Sequence, residues 1–175
     1  KVYKGVWNAL TIRSLSIGQG EILVTPLQLA NMAAAIGNEG YYYPPHLIKS
    51  FDDGTPIDSN MTTKRVIDIK AKHFKDVKVG MCRVFEGNHG TARFSKIDSI
   101  QVAGKTGTAE NPHGDDHSLF MGFAPADNPQ IAIAVVVENA GFGSQWAAPI
   151  ASLMIEKYLR GYIKDNRKEK RFIEP

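Results

Sequence analysis

Apolar positions change their spacing along this chain, and each change marks a different kind of element. Between residues 25 and 37 they recur at helical intervals, with Leu29, Met32, Ala33 and Ile36 on one face. The start of that helix is chemically specified. Thr25 stands as N-cap, Pro26 takes the first helical position, and Gln28 completes a capping box in which two side chains each satisfy an orphan amide. Val24 and Leu29 occupy the positions of a hydrophobic staple, and the run from Gly37 to Gly40 ends the helix. Residues 41–60, rich in Pro, Gly, Asp and Ser, read as loop with a short strand over 46–51. A second helix is expected over 71–85, with Val77, Met81, Val84 and Phe85 on one side and Gly87 and Gly90 closing it.

Beyond residue 100 the period shortens. Residues 100–108, 117–124 and 131–138 are apolar stretches separated by turn formers, Pro112 and Gly114 in one gap, Pro125, Asn128 and Pro129 in the next. This predicts a three-stranded antiparallel meander. A last helix is expected over 146–163, with Ile150, Leu153, Met154 and Tyr158 on its apolar side and Pro149 tolerated in the first turn. Residues 164–175 read as a charged, frayed tail. The fold class is therefore α/β of the α+β type, an antiparallel sheet with helices packed on its faces. The stretch Ile131–Val137 is apolar on both faces, which suits a central strand, yet a three-strand meander leaves it at an edge. Such an edge is expected to be covered by a neighbouring molecule or a rearranged segment, so self-association through it is expected.

Composition narrows the function classes. The 175 residues suffice for one domain core. Twenty-one basic against 18 acidic residues leave a formal charge of +3, too mild to point to nucleic acid. The single cysteine, Cys82, excludes an internal disulfide framework and a cysteine-rich zinc site, and reads as a small buried hydrophobe. No run of 18 apolar residues occurs. The chain opens on Lys1 without an initiator Met, as expected of a piece of a longer protein.

One stretch carries chemistry. Lys105-Thr106-Gly107-Thr108 falls on the first expected strand, just before its turn. A cation beside two hydroxyls at a strand edge suits a carboxylate, and Gly107 lets a substrate backbone approach closely. Such a triplet of Lys, hydroxyl and Gly arises by chance in roughly one chain in ten, so its surroundings must carry the argument. They include Ser16-Ile17-Gly18-Gln19-Gly20, Thr25-Pro26-Leu27-Gln28-Leu29-Ala30, Val102-Ala103-Gly104 before the triplet, Ala109-Glu110 after it, and Phe120-Met121-Gly122-Phe123-Ala124-Pro125.

In this order and spacing the stretches resemble the penicillin-binding, serine active-site transpeptidases, of the monofunctional class B type that serves cell elongation. The resemblance covers residues 1–163 and implies the C-terminal half of the β-lactamase/transpeptidase-like fold, three of its five sheet strands, with Lys105 on an edge strand. It implies that Lys105 holds the charge network and attracts the substrate carboxylate, and that Thr106 and Thr108 bind that carboxylate, on a D-alanyl-D-alanine terminus or a β-lactam. The Thr108 N–H would be one of two oxyanion-hole donors. Lys105 and Thr108 are thus the candidate catalytic residues, and Thr106, Gly107 and Thr108 the substrate-binding ones. No cofactor or metal is implied. The implied partners are peptidoglycan stem peptides, β-lactams and, through the whole protein, elongation-machinery membrane proteins. The implied location is the periplasmic face of the bacterial inner membrane, by an anchor outside this chain.

The departure from the family pattern is the nucleophile. No serine here is followed three residues later by Lys, and no Ser-x-Asn occurs; Ser59-Asn60 has the wrong spacing. A serine acyl-transfer mechanism needs both parts, so the chain alone is expected to be inactive. Two other functions share the strand motif: a β-lactamase or β-lactam sensor, and a non-catalytic binding module derived from this half-fold. Residues 16–30 resemble the transpeptidases specifically. The cluster His113, Asp115, Asp116 and His117 reads as a solvated hairpin loop, and residues 16–20 as a tight turn instead of a phosphate loop, since no Lys-Ser/Thr follows.

Overall fold

The computed structural model describes residues 7–173. Helix α1 (Ala9–Ser16) starts at Asn8, whose side chain accepts from the N–H groups of Leu10 and Thr11. Helix α2 (Pro26–Gly37) forms with the capping box complete, Thr25 and Gln28 satisfying each other's backbone amides. A two-residue strand β1 (Tyr41–Tyr42) pairs with β2 (Arg65–Val66), on either side of the short helix α3 (Ser59–Thr62). Helix α4 (Ala71–Glu86) and a 3-10 turn (Arg93–Ser95) lead into β3 (Ala103–Ala109), β4 (His117–Ala124) and β5 (Ile131–Val137). Helices α5 (Ala147–Arg160) and α6 (Asn166–Ile173) end the chain.

The meander β3-β4-β5 is antiparallel throughout, with Thr106 opposite Phe120 and Phe120 opposite Val135. Strand β4 is buried on both faces because alternation sends Phe120 and Phe123 to opposite sides. Phe120 joins Phe85, Val102, Ala151 and Ile155 in a cluster toward α5, its ring edge-on to Phe85 at 5.8 Å. Phe123 joins Ala33, Met81 and Ala103 in a second cluster toward α2. Burying each ring contributes roughly 1.5–3 kcal/mol, which fixes the sheet between its two helical layers. Helix α4 serves both clusters, through Met81 and Phe85.

Several expectations are corrected. No strand forms over 46–51; the pairing uses Tyr41 and Tyr42 instead. Strand β3 begins at Ala103, after an irregular approach. Met32 and Val77 are exposed, and Phe74 is buried in place of Val77. On α5 the apolar side chains Met154 and Tyr158 are 53% and 64% exposed, while Ala147, Ala148, Ala151 and Ile155 are fully buried. Small residues at helical spacing let the helix lie close on the sheet, and a pattern weighted by side-chain size picks the wrong face. The tail is helical, and Phe172 of α6 packs edge-on against Trp146 at 5.9 Å. No strand pairs with the far edge of β5 among the described residues, as the meander implied. No described helix is long and apolar enough to cross a membrane.

Candidate active site

Strand β3 carries Lys105, Thr106, Gly107 and Thr108 along an edge that no other strand pairs among the described residues. Strand alternation divides them between two faces. Lys105, opposite Met121, is exposed, and its Nζ donates to the Thr106 carbonyl at 2.5 Å. Thr106 faces the α5 side and is 9% exposed. Its Oγ1 lies 2.8 Å from Oγ1 of Thr91, a residue no sequence pattern singles out. Thr91 sits in the loop after α4, held by the Ala92 N–H donating to the Val84 carbonyl at 2.9 Å.

The turn at 16–20 forms as expected and comes to lie against this strand. The N–H groups of Ile17 and Gln19 both donate to the Ser14 carbonyl, at 3.3 and 3.0 Å, and Gly18 donates to Leu15. Gly20 closes the turn at φ 75°, where a Cβ would stand 2.9 Å from that of Ser14, so only glycine fits without strain. Ile17, Gly18 and Gln19 thereby form one wall of a cleft of about 500 Å³ whose other wall is Lys105 to Ala109 with Leu119. Two motif stretches remote in sequence meet across one groove.

Behind the strand the platform is fixed. Gly143 rests on β3 and β4 so closely that a Cβ would come within 2.3 Å of the Leu119 carbonyl oxygen and 2.4 Å of that of Gly107. The Ser118 hydroxyl, fully buried, donates to the Phe142 carbonyl at 3.0 Å and accepts from the Ala147 N–H at 3.1 Å. This one hydroxyl ties the loop to the sheet and satisfies an orphan amide at the start of α5. With both functions occupied and no access to solvent, Ser118 is a structural serine.

The remaining polar candidates have local roles. His117 Nδ1 accepts from the Asn139 N–H at 3.1 Å, and the Asp116 carboxylate accepts from the Asn111 N–H at 3.4 Å, knitting the β3-β4 hairpin loop to the end of β5. Among the described residues no three His, Cys, Asp or Glu side chains stand together as metal ligands. Burial, and then the charge of Asp127, push the Cys82 thiol up from its ordinary value, against a smaller opposing effect of Lys78. That is the environment of an unreactive thiol.

Known proteins share this sequence and fold. The family model for the penicillin binding protein transpeptidase domain matches residues 3–156. The peptidoglycan D,D-transpeptidase MrdA of Haemophilus influenzae is 34% identical over 177 residues, covering 91% of this chain and 27% of that protein. The peptidoglycan D,D-transpeptidase PbpA of Mycobacterium tuberculosis is 35% identical over 158 residues, covering 83% of this chain and 31% of that protein. Among solved structures, Pseudomonas aeruginosa PBP2 in complex with WCK 5153 superposes with a TM-score of 0.79 at 38% identity, over 98% of this chain and 37% of that one. The imipenem acyl-enzyme complex of M. tuberculosis penicillin-binding protein A superposes with a TM-score of 0.70 at 32% identity, over 84% of this chain and 33% of that one. The chain thus spans between a quarter and two fifths of the length of these relatives. With the family model matching residues 3–156 and the fold superposing on that of PBP2 over 98% of the chain, the chain belongs to the penicillin-binding protein transpeptidase domain family, in its class B, PBP2-like branch.

Proposed function

We propose that this chain is the carboxylate-binding half of a peptidoglycan D,D-transpeptidase that cross-links stem peptides and is acylated by β-lactams. The observation that carries the proposal is the edge of β3 that no strand pairs among the described residues, with Lys105, Thr106 and Thr108 along it, facing the 16–20 turn across an open cleft. The exposed Lys105 ammonium supplies the positive charge that draws a peptide or β-lactam carboxylate. Thr106 and Thr108 hydroxyls hold that carboxylate, and Gly107 leaves room for the substrate backbone. The Thr108 N–H serves as one oxyanion-hole donor, where it stabilises charge developing on the attacked carbonyl.

The attacking serine and its lysine base lie outside this chain. The serine oxygen would attack the penultimate D-alanine carbonyl, forming the ester and releasing D-alanine. An amine of a second stem peptide then displaces the serine. The chain by itself forms no acyl-enzyme, because none of its serines has the required lysine partner. Work at the periplasmic membrane face, by an anchor elsewhere and beside membrane proteins of cell elongation, follows from the same reading.

Intact-mass analysis after incubation with benzylpenicillin tests both halves of the proposal. The complete product of the gene should gain one penicillin per molecule, and the 175-residue chain none. An adduct on the chain alone would sink the half-site assignment. No adduct on the complete product would sink the transpeptidase assignment.

A further inference from the structure

A second cavity, of about 730 Å³, opens on the α5 side of the sheet, between α5, α6 and the 3-10 turn Arg93–Ser95. Its volume lies within the range of small-molecule sites. Ser152 of α5 lines it, 7% exposed, and its Oγ has no hydrogen-bond partner. A buried hydroxyl left unmade costs about 1–3 kcal/mol, and a helical serine ordinarily avoids this by bonding the carbonyl one turn back. Here it does not. The acid of the lining, Glu156, is 8% exposed and bonded by the Arg160 guanidinium, so it adds little negative field.

Among neutral polar and aliphatic residues the lining also carries four cations and the rings of Phe94 and Phe172. Arg93, Lys96, Lys168 and Arg171 surround the cavity. Lys96 is engaged by Glu86 at 2.8 Å, and Arg171 lies 5.7 and 5.2 Å from the ring centroids of Trp146 and Phe172, its guanidinium donating to the Gln145 carbonyl at 3.4 Å. Phe94, beneath Arg93 at 4.3 Å, is 81% exposed. A ring that exposed beside a low-dielectric wall and several cations complements a ligand that is apolar at one end and anionic at the other.

We propose that this cavity binds an amphiphilic anion, its apolar body between Phe94, Leu153 and Phe172, its charged group at Lys168 and Arg171, and a polar atom within reach of Ser152. The site is a different cavity from the cleft at Lys105, linked to it through the Thr91–Thr106 hydrogen bond, and its ligand chemistry does not depend on the function assigned to that cleft.

Fluorescence titration of the gene's complete product with anilinonaphthalene sulfonate tests it, with N-phenylnaphthylamine as the same aromatic body lacking the anion. Saturable one-to-one binding of the sulfonate is expected, about tenfold tighter than the uncharged dye, or about 1.4 kcal/mol. The double substitution Lys168→Gln, Arg171→Gln, at exposed positions that leave the core intact, should weaken the sulfonate about tenfold, by the same conversion. Ser152→Leu, which removes the buried hydroxyl and narrows the cavity beside it, should weaken binding. Absence of saturable binding would overturn the proposal, including the case where other parts of the complete product fill the cavity. So would equal binding of the two dyes, or binding unchanged by the Lys168 and Arg171 substitutions.

Discussion

Thr91 holds Thr106 through a 2.8 Å hydrogen bond between their hydroxyl oxygens, joining the loop after α4 to the strand that carries the motif. A hydroxyl has one proton to donate and two lone pairs. When Thr91 donates, the Thr106 proton is left for a carboxylate in the cleft, so Thr91 would set the direction in which Thr106 acts. Thr91→Val in the gene's complete product should slow acylation by a fluorescent penicillin about five- to tenfold, the worth of roughly 1 kcal/mol. Thr91→Ser should restore most of the rate. An unchanged rate in Thr91→Val would show that Thr106 needs no such partner.

Ser118 presents a different test, of stability. Its hydroxyl, itself at zero exposure, serves the Phe142 carbonyl and the Ala147 N–H, so Ser118→Ala leaves the buried Ala147 N–H unsatisfied and removes the partner of the Phe142 carbonyl. The expected loss is about 1–3 kcal/mol in urea unfolding, with the start of α5 and the loop at Gly143 exchanging amide hydrogens faster. A stability within experimental error of the parent would show that water replaces the hydroxyl.

The edge of β5, which no strand pairs among the described residues, predicts behaviour of the 175-residue chain in solution. Residues Ile131 to Val137 include no charge, and Val136 is 36% exposed. An unpaired apolar strand is a template for another chain. Light scattering should give a mass that rises with concentration, and Val136→Lys should shift it toward the monomer. A monodisperse monomer at every concentration would contradict the expectation.

The pair Asp98 and Lys164, at 2.5 Å, carries a pH dependence of defined sign. The Lys164 ammonium, by hydrogen bond first and charge second, holds the Asp98 carboxyl below its ordinary 3.8, and the same contact raises Lys164 above 10.5. A lowered acid contributes stability above its unfolded pKa and loses it as pH falls through the folded value. The raised lysine contributes below its unfolded pKa and loses it as pH rises through the folded one. The difference in urea midpoint between parent and Asp98→Asn should therefore form a plateau from about pH 5 to 9 and shrink toward zero in acid. Both groups are exposed and screened by salt, so a small plateau that vanishes at high ionic strength is expected. A difference that grows on acidification would contradict the assignment.

By itself the sequence determined the elements whose causes are local. The capping box at Thr25 and Gln28, the meander with its turn residues, and the Lys105 to Thr108 strand were all legible from residues close in the chain. Helix α1 was missed although Asn8 is a good cap, because Leu10, Ile12 and Ile17 remain exposed and trace no buried stripe. Which side of α5 is buried could not be read from side-chain size. The sheet accepts Ala147, Ala148 and Ala151 because the helix lies close, and that distance is a property of the packed layers. The site divides in the same way. Its charged and hydroxyl residues are a contiguous string, and hydrogen-bonding chemistry alone suggests a carboxylate. Thr91 beside Thr106, the 16–20 turn across the cleft, and the Ser118 clamp beneath it join residues far apart in sequence. Only the tertiary structure could decide those contacts, because each depends on where a helix or loop is placed by apolar burial elsewhere.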